Sequence, residues 1–112
     1  MSAEKELVMY SRSYGCPFVT TAKKVLNAYD VPFREIHIDL DPEAKQRVLD
    51  WTGFLSVPTL IVANQGEDLP YEAVTELEKG ASPRGIDRGA MLTEGSSSET
   101  EDWLRKHGFI EE

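Results

Sequence analysis

The stretch from Tyr10 to Tyr29, YSRSYGCPFVTTAKKVLNAY, holds the only cysteine of the 112-residue chain and decides how the rest is interpreted. Apolar residues from Val19 onward recur at three- and four-residue spacing, which predicts a helix. Pro17 suits the first position of that helix, so Cys16 falls at its N-cap. The sequence therefore predicts a thiol at the start of a helix.

A thiol in this position lies where the first backbone N–H groups and the helix dipole favour the thiolate. Such positions lower cysteine pKa values from about 8.5 toward about 3.5–7.5, and the thiolate is the nucleophile. We therefore predict that Cys16 is a reactive nucleophile, with Arg12 adding positive charge four residues upstream. The alternative, which the position leaves open, is that Cys16 is a small buried hydrophobe.

The first half of the chain alternates between strand and helix patterns. We predict strands at Glu6–Ser11 and at Phe33–Asp39, where apolar and polar residues alternate. Asp41 is a favourable N-cap for a second helix that ends at Gly53. The continuous apolar run Ser56–Ala63 predicts a strand buried on both faces. This order predicts a βαβ start with a parallel pair of strands.

The second half has weaker signals. We predict a long loop over residues 64–89, with a helical turn at Ala73 to Glu78, and long loops of this kind are often functional. The run GAMLTEG predicts a short strand. SSSETEDWLRKHGF predicts a terminal helix, because serines and acids open it, basic residues close it and Gly108 stops it.

Length and composition indicate one domain spanning residues 1–112. The net charge of −8 argues against purely electrostatic binding to nucleic acid or to an anionic membrane. No apolar run approaches the roughly 18–20 residues that cross a bilayer, and the opening MSAEKEL has no apolar signal region. We therefore expect a cytoplasmic protein in which the single thiol forms no internal disulfide.

Three segments, in order and at similar spacing, resemble the glutaredoxin family. Tyr10-Ser11-Arg12 followed by Cys16-Pro17-Phe18 resembles the glutaredoxin active-site stretch. REIHIDLDPEA resembles the second strand and second helix start of that family, and WTGFLSVPT resembles the segment that carries its cis-proline. The resemblance covers about Leu7 to Ala63.

The resemblance implies an α/β architecture, the thioredoxin fold, with a four-stranded mixed sheet flanked by three helices. It implies a cis Val57–Pro58 bond beside Cys16. It also implies thiol–disulfide exchange on protein mixed disulfides, with glutathione or an equivalent small thiol as co-substrate and Cys16 as the nucleophile. The small-thiol site that it implies consists of Arg12, Tyr14, Pro17, Phe18, Val57, Pro58, Gly95, Ser96 and Ser97.

Within that site, the resemblance implies a role for each end of the small thiol. Arg12 would bind the glycyl carboxylate of glutathione, and Val57 would pair with its cysteinyl backbone. Ser96 and Ser97, at the start of the last helix, would meet its γ-glutamyl end through backbone N–H groups.

The sequence also departs from the family pattern. Val19 stands where dithiol members have a second cysteine, and Gly15 looks like an extra residue before Cys16. Residues 64–89 look like an insertion before the last strand. The glycine pair before the final helix is reduced to Gly95.

These features favour a monothiol oxidoreductase that is a monomer or a weak homodimer. This first-choice function requires no bound metal. One alternative is an iron–sulfur cluster carrier, in which two Cys16 thiolates and two small thiols supply four ligands. Another is a non-catalytic thioredoxin-fold binding module that uses the long loop. Within that loop, Arg84 and Arg88 are each followed by glycine, and we interpret them as a solvated stretch rather than an anion site near Cys16.

Overall fold

The computed structural model describes residues 5–78 and 80–110. The described residues form four strands and three helices. Strands and helices alternate in the first half of the chain, and a long connection then leads to the last strand and the last helix. In chain order they are β1 (Lys5–Ser11), α1 (Pro17–Ala28), β2 (Arg34–His37), α2 (Pro42–Thr52), β3 (Thr59–Asn64), β4 (Met91–Thr93) and α3 (Ser97–Lys106).

The four strands form one mixed sheet in the order β2-β1-β3-β4. Strand β1 is parallel to β2 and antiparallel to β3, and β4 is antiparallel to β3. This is the thioredoxin fold that the resemblance implied. Thr59 pairs with Tyr10 on one side and Thr93 on the other, so the end of β1, the start of β3 and the end of β4 meet at one end of the sheet.

The core lies between the sheet and the helices, and the apolar periodicity of each helix explains which face it buries. Strand β3 is buried over Thr59–Ala63, as a continuous apolar run predicts. Helix α3 buries Trp103 and Leu104. The buried face of α1 consists of Val19, Ala22, Val25 and Leu26.

Helix ends follow the capping residues of the sequence. The Asp41 carboxylate accepts hydrogen bonds from two backbone N–H groups of α2, and Gly53 ends that helix in the left-handed region at φ 78°. Ser96 is the N-cap residue of α3, and its side chain and that of Glu99 form a reciprocal capping box.

Two strands are displaced from their predicted bounds. Strand β3 begins at Thr59 rather than Ser56, because Pro58 has no N–H to donate to the sheet. Strand β2 is shorter than Phe33–Asp39, because it pairs only with the four residues Val8–Ser11 of β1.

We call residues 65–90, between β3 and β4, the long segment. Its described residues contain two isolated bridges to β4, from Arg84 and Asp87, and no helix or strand. The helical turn predicted at residues 73–78 is wrong. The amide of Thr75 donates to the carbonyl oxygen of Arg88 at 3.1 Å, so this stretch bonds across the segment rather than within a helical turn.

Arg88 connects the long segment to α2 through hydrogen bonds. Its Nε donates to the carbonyl oxygen of Thr75 and its Nη1 to that of Trp51, both at 2.7 Å. The residue is 4 % exposed, and burial lowers the pKa of its guanidinium. The interpretation of Arg88 as a solvated loop residue is therefore wrong.

Within the described part of the chain, no helix combines the length and apolar character needed to cross a membrane.

Candidate active site

Cys16 is the N-cap residue of α1, in extended conformation, and Pro17 occupies the first turn as predicted. The cysteine is 8 % exposed. Its Sγ lies 3.7 Å from the carbonyl oxygen of Val57, to which the thiol donates. The sulfur is thus held between the start of a helix and the loop that precedes β3.

The loop before β3 contains the cis peptide bond between Val57 and Pro58. The carbonyl oxygen of Pro58 accepts a hydrogen bond from the backbone N–H of Glu94 at 2.9 Å. This bond brings the end of β4 beside the loop that faces Cys16.

The sulfur opens into a pocket of about 330 Å³ at this end of the sheet. Five of the predicted site residues line it, and four further residues complete its wall. The lining consists of Arg12, Cys16, Pro17, Phe18, Phe54, Leu55, Ser56, Val57 and Glu94.

Arg12 carries the positive charge of the pocket wall. Its guanidinium carbon lies 4.8 Å from the centroid of the Tyr14 ring, and Tyr14 itself is 62 % exposed and outside the lining. Arg12 Nε is buried and has no hydrogen-bond partner among the described residues. A buried donor without an acceptor is costly. Arg12 is also the only cationic residue among those that line the pocket.

The loop that carries Arg12 toward Cys16 is anchored by Asp39. The backbone N–H of Ser13 donates to Asp39 Oδ1 at 2.9 Å, and the Ser13 hydroxyl donates to Oδ2. The hydrogen bond from this hydroxyl, with that from the backbone, lowers the pKa of Asp39. The carboxylate is therefore charged near neutral pH, and in this form it accepts the two hydrogen bonds that hold the loop.

The predicted contacts at the start of α3 lie outside the pocket lining. The backbone N–H of Ser96 donates to Glu99 Oε1 at 2.8 Å, so the capping box already uses this donor. Ser97 is exposed, and Gly95 is buried against Leu92 and Thr100.

Four lining residues were not among the predicted site residues: Phe54, Leu55, Ser56 and Glu94. Phe54 and Leu55 are 48 % and 47 % exposed, and two large apolar residues in a loop directly before Val57 were a signal that could have found them. Glu94 offered no such local signal. It adopts a left-handed conformation with φ 49°, which glycine favours and other residues rarely adopt.

A sequence profile of the glutaredoxin family matches residues 7–66, just over half of the chain. The chain belongs to the glutaredoxin family. A solved structure, the solution structure of glutaredoxin from Brucella melitensis, aligns with 92 % of this chain and 80 % of its own, at a TM-score of 0.45 and 16 % sequence identity. Among curated proteins, none matches this sequence.

Family membership supports a role of the thiol–disulfide oxidoreductase kind. This glutaredoxin has a single cysteine, and Val19 stands where dithiol members of the family have a second one. Across residues 5–78 and 80–110, no three His, Cys, Asp or Glu side chains come together as ligands for a metal ion. His107, for example, is bound at Nε2 to the carbonyl oxygen of Gly89, 2.7 Å away.

Proposed function

We propose that this glutaredoxin catalyses monothiol exchange on mixed disulfides between protein thiols and glutathione or an equivalent small thiol. The observation that carries the proposal is the position of Cys16 at the N-cap of α1, facing a pocket whose wall includes Arg12. The pocket has a volume of about 330 Å³, and Cys16 is among its lining residues.

In the first step, the Cys16 thiolate attacks the small-thiol sulfur of the mixed disulfide. The bond between that sulfur and the protein sulfur breaks, and the protein leaves as a thiolate that takes a proton from water. Cys16 then carries the small thiol in a new disulfide. No electrons have been supplied from outside, because one disulfide has replaced another.

In the second step, the thiolate of another small-thiol molecule attacks the small-thiol sulfur bound to Cys16. The small-thiol disulfide leaves, and the Cys16 thiolate is regenerated. Each turnover consumes one reduced small-thiol molecule: the protein sulfur ends as a thiol, and the disulfide ends between two small-thiol molecules. This sequence needs one cysteine in the enzyme, as found here.

The pocket residues would orient the small thiol for both steps. We assign Arg12 to a carboxylate of the small thiol, since it is the one cationic residue among those that line the pocket. We assign the backbone of Val57 to the peptide-like backbone next to the reacting sulfur, because its carbonyl group already lies 3.7 Å from Cys16 Sγ. Pro17 and Phe18 supply apolar wall. Tyr14, Pro58, Gly95 and Ser97 stay in the proposed set although they lie outside the pocket lining, whereas the Ser96 N–H already donates to Glu99.

The proposed setting is the reducing cytoplasm, where small thiols are abundant, with the protein acting as a monomer or weak homodimer. Protein mixed disulfides and the small thiol are its proposed partners.

The test is steady-state reduction of a glutathionylated peptide by glutathione, with the wild-type chain and Cys16→Ser compared at equal concentration. We expect turnover that depends on both substrates and is abolished by the serine variant. Absence of turnover with glutathione, cysteine and other small thiols would refute the proposal and favour the binding-module alternative.

A further inference from the structure

We propose that Arg84 is a specificity-determining residue of the thiol pocket. It compensates the Glu94 carboxylate, and so allows anionic small-thiol disulfides to reach Cys16. The inference rests on the proposed exchange at Cys16, and it names the substrate class as disulfides that carry carboxylates. Arg84 belongs to the long segment, so the inference also gives that segment a role in selectivity.

Glu94 places a carboxylate in the same pocket as the sulfur. It lines the pocket with Cys16, and its side chain is only 14 % exposed. Its backbone is fixed by the hydrogen bond to Pro58 and lies in the left-handed region. The carboxylate is therefore held in the pocket region rather than moving in solvent.

An uncompensated carboxylate there would oppose the proposed chemistry. It would repel an anionic substrate, and the whole chain already carries a net charge of −8. At separations of several ångströms near a protein surface, one unit charge changes the encounter with an anion by roughly 2- to 10-fold. Arg12 lines the same pocket, but the salt bridge of Glu94 is formed with Arg84, so the charge that compensates this carboxylate directly comes from the long segment.

Arg84 supplies that charge. Its Nη2 lies 3.2 Å from Glu94 Oε2, and its guanidinium carbon lies 4.7 Å from the centroid of the Phe18 ring, which lines the pocket. The guanidinium thus contacts two residues of the pocket wall while its side chain remains 61 % exposed.

The backbone next to Arg84 explains why the Arg84 side chain lies beside the pocket wall. The N–H of Gly85 donates to the carbonyl oxygen of Thr93 at 2.8 Å, beside the end of β4. A Cβ at Gly85 would lie 2.7 Å from Glu99 Oε2, and its φ is 72°. Glycine therefore lets the long segment approach the start of α3 closely and carry Arg84 to the pocket rim.

The test compares alkylation of Cys16 by iodoacetate, which is anionic, with alkylation by iodoacetamide, which is neutral and similar in shape. Both reagents react with the same thiolate, so the ratio of their rate constants cancels the thiolate fraction and reports the local charge. We expect Arg84→Gln to lower the iodoacetate-to-iodoacetamide ratio by about 2- to 10-fold, with a smaller effect in 0.5 M salt.

Three further variants sharpen the comparison. Adding Glu94→Gln to Arg84→Gln should return the ratio to within about twofold of wild type, because both charges are then absent. Arg84→Lys should keep the wild-type ratio. Arg105→Gln, which removes an arginine paired with Asp102 on α3, should leave the ratio unchanged.

The proposal is overturned if Arg84→Gln slows both reagents equally, or if Glu94→Gln fails to restore the ratio. Neither alkylation measurement depends on turnover, so a negative result for Arg84 can be distinguished from a failure of the proposed function. If the ratio behaves as expected, kcat/KM for a glutathionylated peptide should fall in Arg84→Gln, while that for the neutral disulfide of 2-mercaptoethanol should not. An equal fall for both disulfides would contradict the assigned substrate class.

Discussion

Cys16 Sγ lies 3.7 Å from the carbonyl oxygen of Val57, although 41 residues separate the two in the chain. They meet because β1 and β3 are antiparallel neighbours, so the end of one strand lies beside the start of the other. The sheet topology therefore brings the sulfur to the loop that would receive a peptide-like thiol.

Arg12 is expected to affect recognition of the small thiol more than the chemical step. Changing Arg12→Gln removes the one cationic side chain of the pocket lining, so KM for glutathione should rise by about 5-fold or more with little change in kcat. Steady-state kinetics at varied glutathione concentration measure this, with Arg47→Gln as a control outside the pocket. An unchanged KM would show that Arg12 does not contact the co-substrate.

The two arginines of the long segment should differ sharply in their effect on stability. Arg88→Ala leaves the carbonyl oxygens of Thr75 and Trp51 without their donor and opens a cavity, so it should lower the free energy of unfolding by about 2–3 kcal/mol. Arg84→Ala removes one ion pair, whose arginine side chain is 61 % exposed, and should cost less than about 1 kcal/mol. Urea denaturation measures the free energy of unfolding of the two variants. Equal decreases would contradict the role of Arg88 in holding the long segment against α2.

Glu6 should make stability depend on pH in the acid range. The hydrogen bond from the Gly66 amide, followed by that from Arg34, lowers the pKa of Glu6 in the folded chain. A lowered folded pKa contributes stability that is present above the unfolded value of about 4.3 and is lost as pH falls through the folded pKa.

Glu6→Gln should therefore be less stable than wild type at pH 7, and the difference should shrink as pH falls below about 4. Urea denaturation at a series of pH values measures the difference, with Glu43→Gln as the control for removing one acid. A difference that stays constant down to pH 2 would contradict this contribution.

Gly53 should tolerate substitution less well than Gly15. Gly53 ends α2 at φ 78°, where a Cβ is strained, so Gly53→Ala should lower the free energy of unfolding by about 1 kcal/mol. A Cβ at Gly15 meets nothing within 4 Å, and its φ lies outside the left-handed region, so Gly15→Ala should be nearly neutral. Equal thermal stabilities of the two variants would be inconsistent with these backbone conformations.

Features that depend on neighbouring residues could be predicted from the sequence. The Cys16 N-cap, the Asp41 cap and the helix start at Ser97 depend on local chemistry, and the structure contains all three. Strand β3 begins later than predicted. The pattern of apolar residues continues through Pro58, but the hydrogen-bonded ladder does not, because proline has no N–H to donate.

Features held by distant contacts could not be predicted in this way. Thr75 is held by hydrogen bonds with Arg88, and Arg88 in turn donates to the carbonyl group of Trp51 in α2. The pairing of Arg84 with Glu94 likewise follows from the path of the long segment beside β4, which no local pattern encodes. The sequence therefore predicted the position of Cys16 at the start of α1 and only part of the pocket around it.

The most direct measurement is the intact mass of the chain after mixing with a glutathionylated peptide in the absence of glutathione. We predict that one glutathionyl group is transferred to Cys16, that an equal amount of peptide thiol appears, and that added glutathione then restores the unmodified mass. If the glutathionyl group stays on the peptide while Cys16 still reacts with iodoacetamide, Cys16 is accessible but does not perform the exchange, and the proposed function is wrong.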